Sequence, residues 1–180
     1  MRARETGRPT VGWREWVTLP LLGVRWIKAK VDTGARSSSL HVFDLETIDR
    51  RGRTMARFGI HPLQRNSRKT VRAEAEILEF RKVKSSSGHS TLRPVIETEV
   101  RILGELHTIE LTLANRDAMG FRMLLGRQAI RNEFLVDAGR SFYGPRPRRK
   151  KKKSAPRKVE ARRTEKRSPG RGDRSSGARR

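Results

Sequence analysis

The segment Val31-Asp32-Thr33-Gly34-Ala35 has the residue types that water-activating chemistry uses. A carboxylate at a sharp turn leaving an apolar strand is held rigidly. Two such carboxylates brought together share one proton, because close like charges do not both ionise. One then acts as a base on water while the protonated one polarises a carbonyl. Gly34 suits the tight turn and a close backbone approach, and the Thr33 hydroxyl can lock the loop. Alone the tripeptide is a weak signal, since an ordinary Asx turn uses the same letters. A second element strengthens it: Met123-Leu124-Leu125-Gly126-Arg127, an apolar strand ending in glycine and arginine.

Other catalytic sets are missing from the sequence. There is no cysteine, so thiolate chemistry and disulfides are excluded. His41, His61, His89 and His107 are scattered, with no His-Glu-x-x-His and no metal-ligand spacing. No Gly-x-x-x-x-Gly-Lys-Ser/Thr phosphate loop occurs. The expectation is no metal and no cofactor. Asp137, between Val136 and Ala138-Gly139, is the other aspartate flanked by an apolar residue and small ones; it reads as a turn after the last strand.

The elements that must position these groups read as strands. In Val24 to Val31, Ile27, Ala29 and Val31 alternate with Trp26, Lys28 and Lys30, the period of a half-buried strand. Val11 to Leu19 reads as a strand before it, with a turn at Leu21-Leu22-Gly23. Leu45 to Asp49 and Thr54 to Ile60 flank Arg50-Arg51-Gly52-Arg53, a hairpin pattern. Thr70 to Lys84 tolerates helix or strand. Ile96, Thr98, Val100 and Ile102 share one face, and Ile109, Leu111 and Leu113 continue the alternation after Gly104. Arg127 to Glu133 is the one short helix expected. The sum is an all-β meander.

The quoted motifs resemble those of retropepsin-like domains, which pair an Asp-Thr-Gly-Ala loop with a later apolar-Gly motif often followed by Arg. The resemblance implies an acid-protease β-barrel with Asp32, Thr33 and Gly34 as its catalytic loop. It also implies a hairpin flap over substrate, for which Lys84 to Arg93 is well placed. Lys28 to His41, Val83 to His89 and Leu124 to Arg127 are similar to a bacterial branch labelled an ATP-dependent zinc protease. Its members resemble partners of RimK-type ligases that append glutamates to a ribosomal protein. The implied activity is aspartic-type peptidase hydrolysis of acidic, glutamate-rich tails. With one Asp-Thr-Gly per chain, the second carboxylate is expected from another copy, so a homodimer is expected. Ala35, Arg36, His41, Ser86, Ser87, Gly88, Gly126 and Arg127 are the expected substrate contacts. Arg36 stands where viral retropepsins commonly carry an acid. With Arg127, Lys28, Lys30 and Lys84 it would favour an acidic peptide.

Charge divides the chain. The formal net charge is +24. Residues 146–180 alone hold 17 Lys and Arg against 3 Asp and Glu, including six consecutive cations from Arg148 to Lys153. Such a segment has little to bury and is expected to be a disordered tail. The expected organisation is a flexible stretch over 1–10, a peptidase domain over 11–143 and the basic tail over 144–180. The tail could contact RNA or the ribosome through phosphates. It has no aromatic residue for base stacking. An alternative function is thus a non-catalytic binding module tethered by this tail. No stretch approaches the roughly 20 apolar residues of a membrane helix, and Val17 to Val24 does not read as a secretion signal; a cytoplasmic location is expected.

Overall fold

The computed structural model describes residues 7–64, 66–84, 88, 90–115 and 120–147, and strand is the main structure among them. β1 (Thr10–Gly12) and β2 (Arg14–Leu19) divide the expected first strand at Trp13. A single 3₁₀ turn, Pro20–Leu22, closes on Gly23, whose φ of 68° is left-handed. β3 (Val24–Asp32) then delivers Asp32 at its end. β4 (Ser38–His41), β5 (Phe43–Arg50), β6 (Arg53–Ile60), β7 (Val71–Lys84) and β8 (Ser90–Ile102) follow. β9 (Glu105–Ala114), β10 (Met123–Gly126) and β11 (Leu135–Asp137) complete the order.

β1 and β11 form a separate parallel pair, and the other nine strands lie in the order β2-β3-β10-β4-β9-β8-β7-β6-β5. Thr18 of β2 also pairs with Arg101 of β8. That contact closes β2-β3-β10-β4-β9-β8 into a small barrel, with β7, β6 and β5 continuing outward from β8. A closed barrel of this size is filled by side chains rather than left as a channel. Ile27, Ala29, Leu40, Val100, Leu111, Leu113 and Leu125 occupy it, all buried. The expected faces hold: Ile27, Ala29 and Val31 point inward, while Trp26 and Lys28 are half-buried and Lys30 is exposed.

The hairpin expected at Arg50 to Arg53 forms, with Arg51 and Gly52 both at positive φ (57° and 75°). Those are the dihedrals a two-residue hairpin turn requires. The ambiguous Thr70 to Lys84 stretch becomes the long strand β7. Its Glu74 and Glu76 lie opposite Arg57 and Met55 of β6, and both pair with arginines of that hairpin. Cross-strand partners thus override the helix tolerance of its alanines and glutamates.

The expected helix over Arg127 to Glu133 is not a helix but one 3₁₀ turn, Arg127–Ala129. Gly126 offers no capping side chain, and Asn132 has a φ of 71°, which ends any helical path after one turn.

Candidate active site

β10 runs between β3 and β4, parallel to the first and antiparallel to the second. The register places Leu125 beside Val31 and Gly126 beside Asp32. The loop from Thr33 to Ser37 therefore crosses over the end of β10, and the space there is tight. A Cβ on Gly126 would meet the Ser37 carbonyl carbon at 2.4 Å, its oxygen at 2.5 Å and the Ser38 nitrogen at 2.8 Å. Only glycine lets the two chains approach this closely.

Four hydrogen bonds sew the loop down. The Arg127 amide donates to the Ala35 carbonyl (2.7 Å) and the Gln128 amide to the Arg36 carbonyl (3.1 Å). The Arg127 guanidinium donates to the Thr33 carbonyl (3.1 Å). The Gly126 amide donates to the buried Ser38 hydroxyl (3.1 Å). Thr33 is thus locked through its carbonyl; within one chain its hydroxyl has no partner among the described residues.

Asp32 is half-buried. Its Oδ1 accepts from the amides of Gly34 and Ala35, each at 3.1 Å. Its Oδ2 has no partner among the described residues. One oxygen of the Asp32 carboxylate therefore fixes an Asx turn and the other stays open. Gly34 is not at positive φ, and a Cβ there would meet only Asp32 Oδ1, at 3.4 Å. Its expected role in the turn is not required by the chain's own geometry.

The hairpin of β7 and β8 closes with Lys84 opposite Ser90. Gly88 lies in its loop at a φ of 86°. Ser85, Ser86, Ser87 and His89 fall outside the described residues. Below the loop, Arg81 of β7 reaches the Ser37 hydroxyl (3.0 Å) and Glu110 of β9 (2.8 Å), and also pairs with Glu79. Burial works against the charged form of Arg81, but the carboxylates of Glu110 and Glu79 outweigh it and hold its pKa above the usual value. This arginine joins the hairpin to the segment following Asp32. Sequence reading missed it, because an isolated cation in a strand carries no local sign of its partners. Ser38 was missed for the same reason.

Of the other expected contacts, Ala35 is half-buried in the loop, while Arg36 and Arg127 are exposed beside it. His41 is not brought to Asp32. It is 3% exposed and sits at the far end of β4, where its amide bonds the Arg122 carbonyl. Arg122 is four residues before Gly126, about 13 Å along a strand. The described histidines also stay apart. His61 stacks on Phe43, and His107 packs edge-on against Phe134. Among the described residues no three His, Cys, Asp or Glu side chains converge as a metal site. Among the same residues no helix is long and apolar enough to cross a membrane.

Comparison with known proteins places these features in context. Residues 10–147 match the RimB-like family model, described as retropepsin-like aspartic endopeptidase RimB. A protein of Shewanella pealeana named "Probable alpha-L-glutamate ligase" is 47% identical over 133 residues, which is 73% of this chain and 29% of that one. A Desulfotalea psychrophila protein of the same name is 42% identical over 135 residues, 75% of this chain and 29% of its own. The match thus spans less than a third of these ligase-named proteins. The crystal structure of a Legionella pneumophila protein of unknown function (DUF785) superposes with a TM-score of 0.64 at 28% identity. It covers 75% of this chain and 97% of that one.

Proposed function

Because this chain belongs to the RimB-like family of retropepsin-like aspartic endopeptidases, we propose that it is an aspartic-type peptidase that cuts acidic, glutamate-rich peptide tails. The observation that carries this reading is the Asp32 carboxylate, pinned through Oδ1 to two amides with Oδ2 uncommitted. A carboxylate held this way can share a proton with a second one. The second comes from Asp32 of another copy, since the sequence contains one Asp-Thr-Gly. Asp137 is a poor substitute: its oxygens already serve the amides of Gly139 and Arg140 and the Tyr143 hydroxyl.

In the homodimer, one ionised Asp32 takes a proton from water as that water attacks the scissile carbonyl. The other, protonated, donates to the carbonyl oxygen. Exposed Arg36 and Arg127 beside the loop favour an acidic substrate. Relatives named for glutamate ligation carry the same segment within longer chains, which supports a glutamyl product as the substrate. The basic tail supports a second reading, a non-catalytic module held to RNA or the ribosome, with 17 cations against 3 acids over 146–180.

The test is mass-spectrometric cleavage of a polyglutamate-tailed peptide by wild type and Asp32→Asn, with and without EDTA. Cleavage by wild type alone, unaffected by EDTA, is expected. Cleavage that survives Asp32→Asn overturns the aspartic mechanism. Absence of cleavage by wild type favours the tethered module.

A further inference from the structure

Cations are not treated alike across this sheet. On β5, β6 and β7 the arginines have acidic partners, whereas Lys82 and Lys84 of β7 have none among the described residues. Arg50 and Arg57 pair with Glu74, Arg53 with Glu76 and Arg72 with Asp44. On β2 and β3 no cation, arginine or lysine, has an acidic partner among the described residues. Arg14 stands directly opposite Lys30, and Trp16 opposite Lys28. Arg14 bonds the Ser141 hydroxyl and lies over Trp13, and Lys28 lies over the Trp16 ring. Lys30 has no partner at all among the described residues and is exposed. Like charges placed opposite each other in an antiparallel pair are destabilising. An unmatched Arg14–Lys30 pair therefore leaves room for an anion from outside the chain.

The position of Lys30 says which anion. Strand side chains alternate, so Lys30 and Asp32 lie on the same side of β3, about 7 Å apart along the strand. Leu124 of β10 is the neighbour of Lys30 and is half-buried, as Gly126 is the neighbour of Asp32. The floor next to the reactive carboxylate is thus a leucine and an uncommitted ammonium. A lysine head on its flexible stem suits a single carboxylate. Lys28, resting on aromatic rings one step further out, is already engaged.

We infer that Lys30 is a specificity-determining residue: its ammonium receives the carboxylate of a substrate side chain flanking the bond to be cut. Arg14 reinforces the field from across the strand pair. The inference rests on the peptidase reading for the bond, while the carboxylate contact can be measured without cleavage.

Two readouts separate the two ideas, both on the full chain. The first is binding of fluorescein-labelled tetraglutamate and tetraglutamine peptides to Asp32→Asn protein, with and without Lys30→Gln. The expected result is an affinity for tetraglutamate about tenfold lower in the Lys30→Gln background, equivalent to about 1.4 kcal/mol. The Glu-over-Gln preference should shrink by the same factor. The second is competition cleavage of peptides carrying Glu, Gln or Lys beside the scissile bond, by wild type and Lys30→Glu. The charge reversal should shift the kcat/KM ratio from the Glu peptide towards the Lys peptide. Equal effects on both binding peptides, no tetraglutamate binding, or an unchanged cleavage ratio each overturn the inference. If tetraglutamate binds through Lys30 but wild type cuts nothing, the peptidase reading falls and this one stands.

Discussion

Replacing Gly126 by alanine tests the central geometric claim, that β10 and the loop after Asp32 form one unit. The three atoms the new Cβ would meet are all main chain, at 2.4, 2.5 and 2.8 Å. No side chain can swing away, so the backbone itself must move by about 1 Å to restore ordinary contact distances near 3.5 Å. The movement lengthens the bonds from Gly126 to Ser38 and from Arg127 to Ala35, which are 3.1 and 2.7 Å in the native chain. Overpacking of this kind costs about 1–3 kcal/mol, and each kcal/mol lowers Tm by about 2–4 °C for a chain of this size. A misplacement of about 1 Å at a reacting group costs on the order of 10²-fold in rate. Gly34→Ala is the internal control: its Cβ meets only a carboxylate oxygen at ordinary distance, so its stability should stay within about 0.5 kcal/mol of wild type. Thermal melts of both variants, with hydrogen exchange at Ala35 to Ser38, give the answer. A Gly126→Ala protein that melts with wild type and keeps those amides protected refutes the reasoning.

Arg81→Met removes the link from β7 to Ser37 and Glu110 and should speed hydrogen exchange along the β7–β8 hairpin, with a stability loss of about 1 kcal/mol. Unchanged exchange there would show that the hairpin is held by its backbone ladder alone. Glu15 is 1% exposed and accepts from the amides of Gly12, Tyr143 and Gly144. Glu15→Ala leaves three donors without an acceptor, at about 1–3 kcal/mol each where they stay buried. A melt should show a loss of at least several degrees, and β1 and β11 should exchange first. Asp137 and Tyr143 give a pH signature. The Tyr143 hydroxyl and the Gly139 amide hold the Asp137 pKa below the usual carboxylate value, and Asp137 raises that of Tyr143 above the usual phenol value. Coupling between Asp137→Asn and Tyr143→Phe should therefore be present at neutral pH. It should be lost as acid protonates Asp137 through its lowered pKa, and lost again as alkali ionises Tyr143 through its raised one. A coupling that is flat with pH would show that the contact is not charge-assisted.

What could be read from the sequence follows from how each strand is buried. β3, β8 and β9 each expose one face, so their apolar residues recur every second position and announce themselves. β4 was invisible because all four residues, Ser38 to His41, are buried, and a strand covered on both faces has no alternation to detect. Its serines look like loop, yet the Ser38 hydroxyl is the acceptor that anchors Gly126. The barrel and the two catalytic-type motifs were legible through family resemblance. The register that joins them was not, because Gly126 lies next to Asp32 only through pairing of strands far apart in the chain. Nothing local in the sequence marks Glu15 for the same reason: its partners are amides at both ends of the described chain.

Asp32 and Asp137 show why letters alone could not separate an aspartate with an open oxygen from one that is fully engaged. Each ends a strand in a parallel pair, opposite a glycine: Asp32 beside Gly126, Asp137 beside Gly12. Each accepts through Oδ1 from the amides two and three residues ahead. Each glycine is crowded by the loop beyond its aspartate, since a Cβ on Gly12 would meet the Arg140 carbonyl oxygen at 2.5 Å. The local architecture is the same twice over. The difference is the second oxygen. The Tyr143 hydroxyl donates to Asp137 Oδ2 at 2.5 Å, which fixes Asp137 as a charged acceptor closing the segment from Asp137 to Tyr143. Asp32 keeps Oδ2 uncommitted at a half-buried position. The same turn serves both residues, and only the atom left over decides which of them can share a proton.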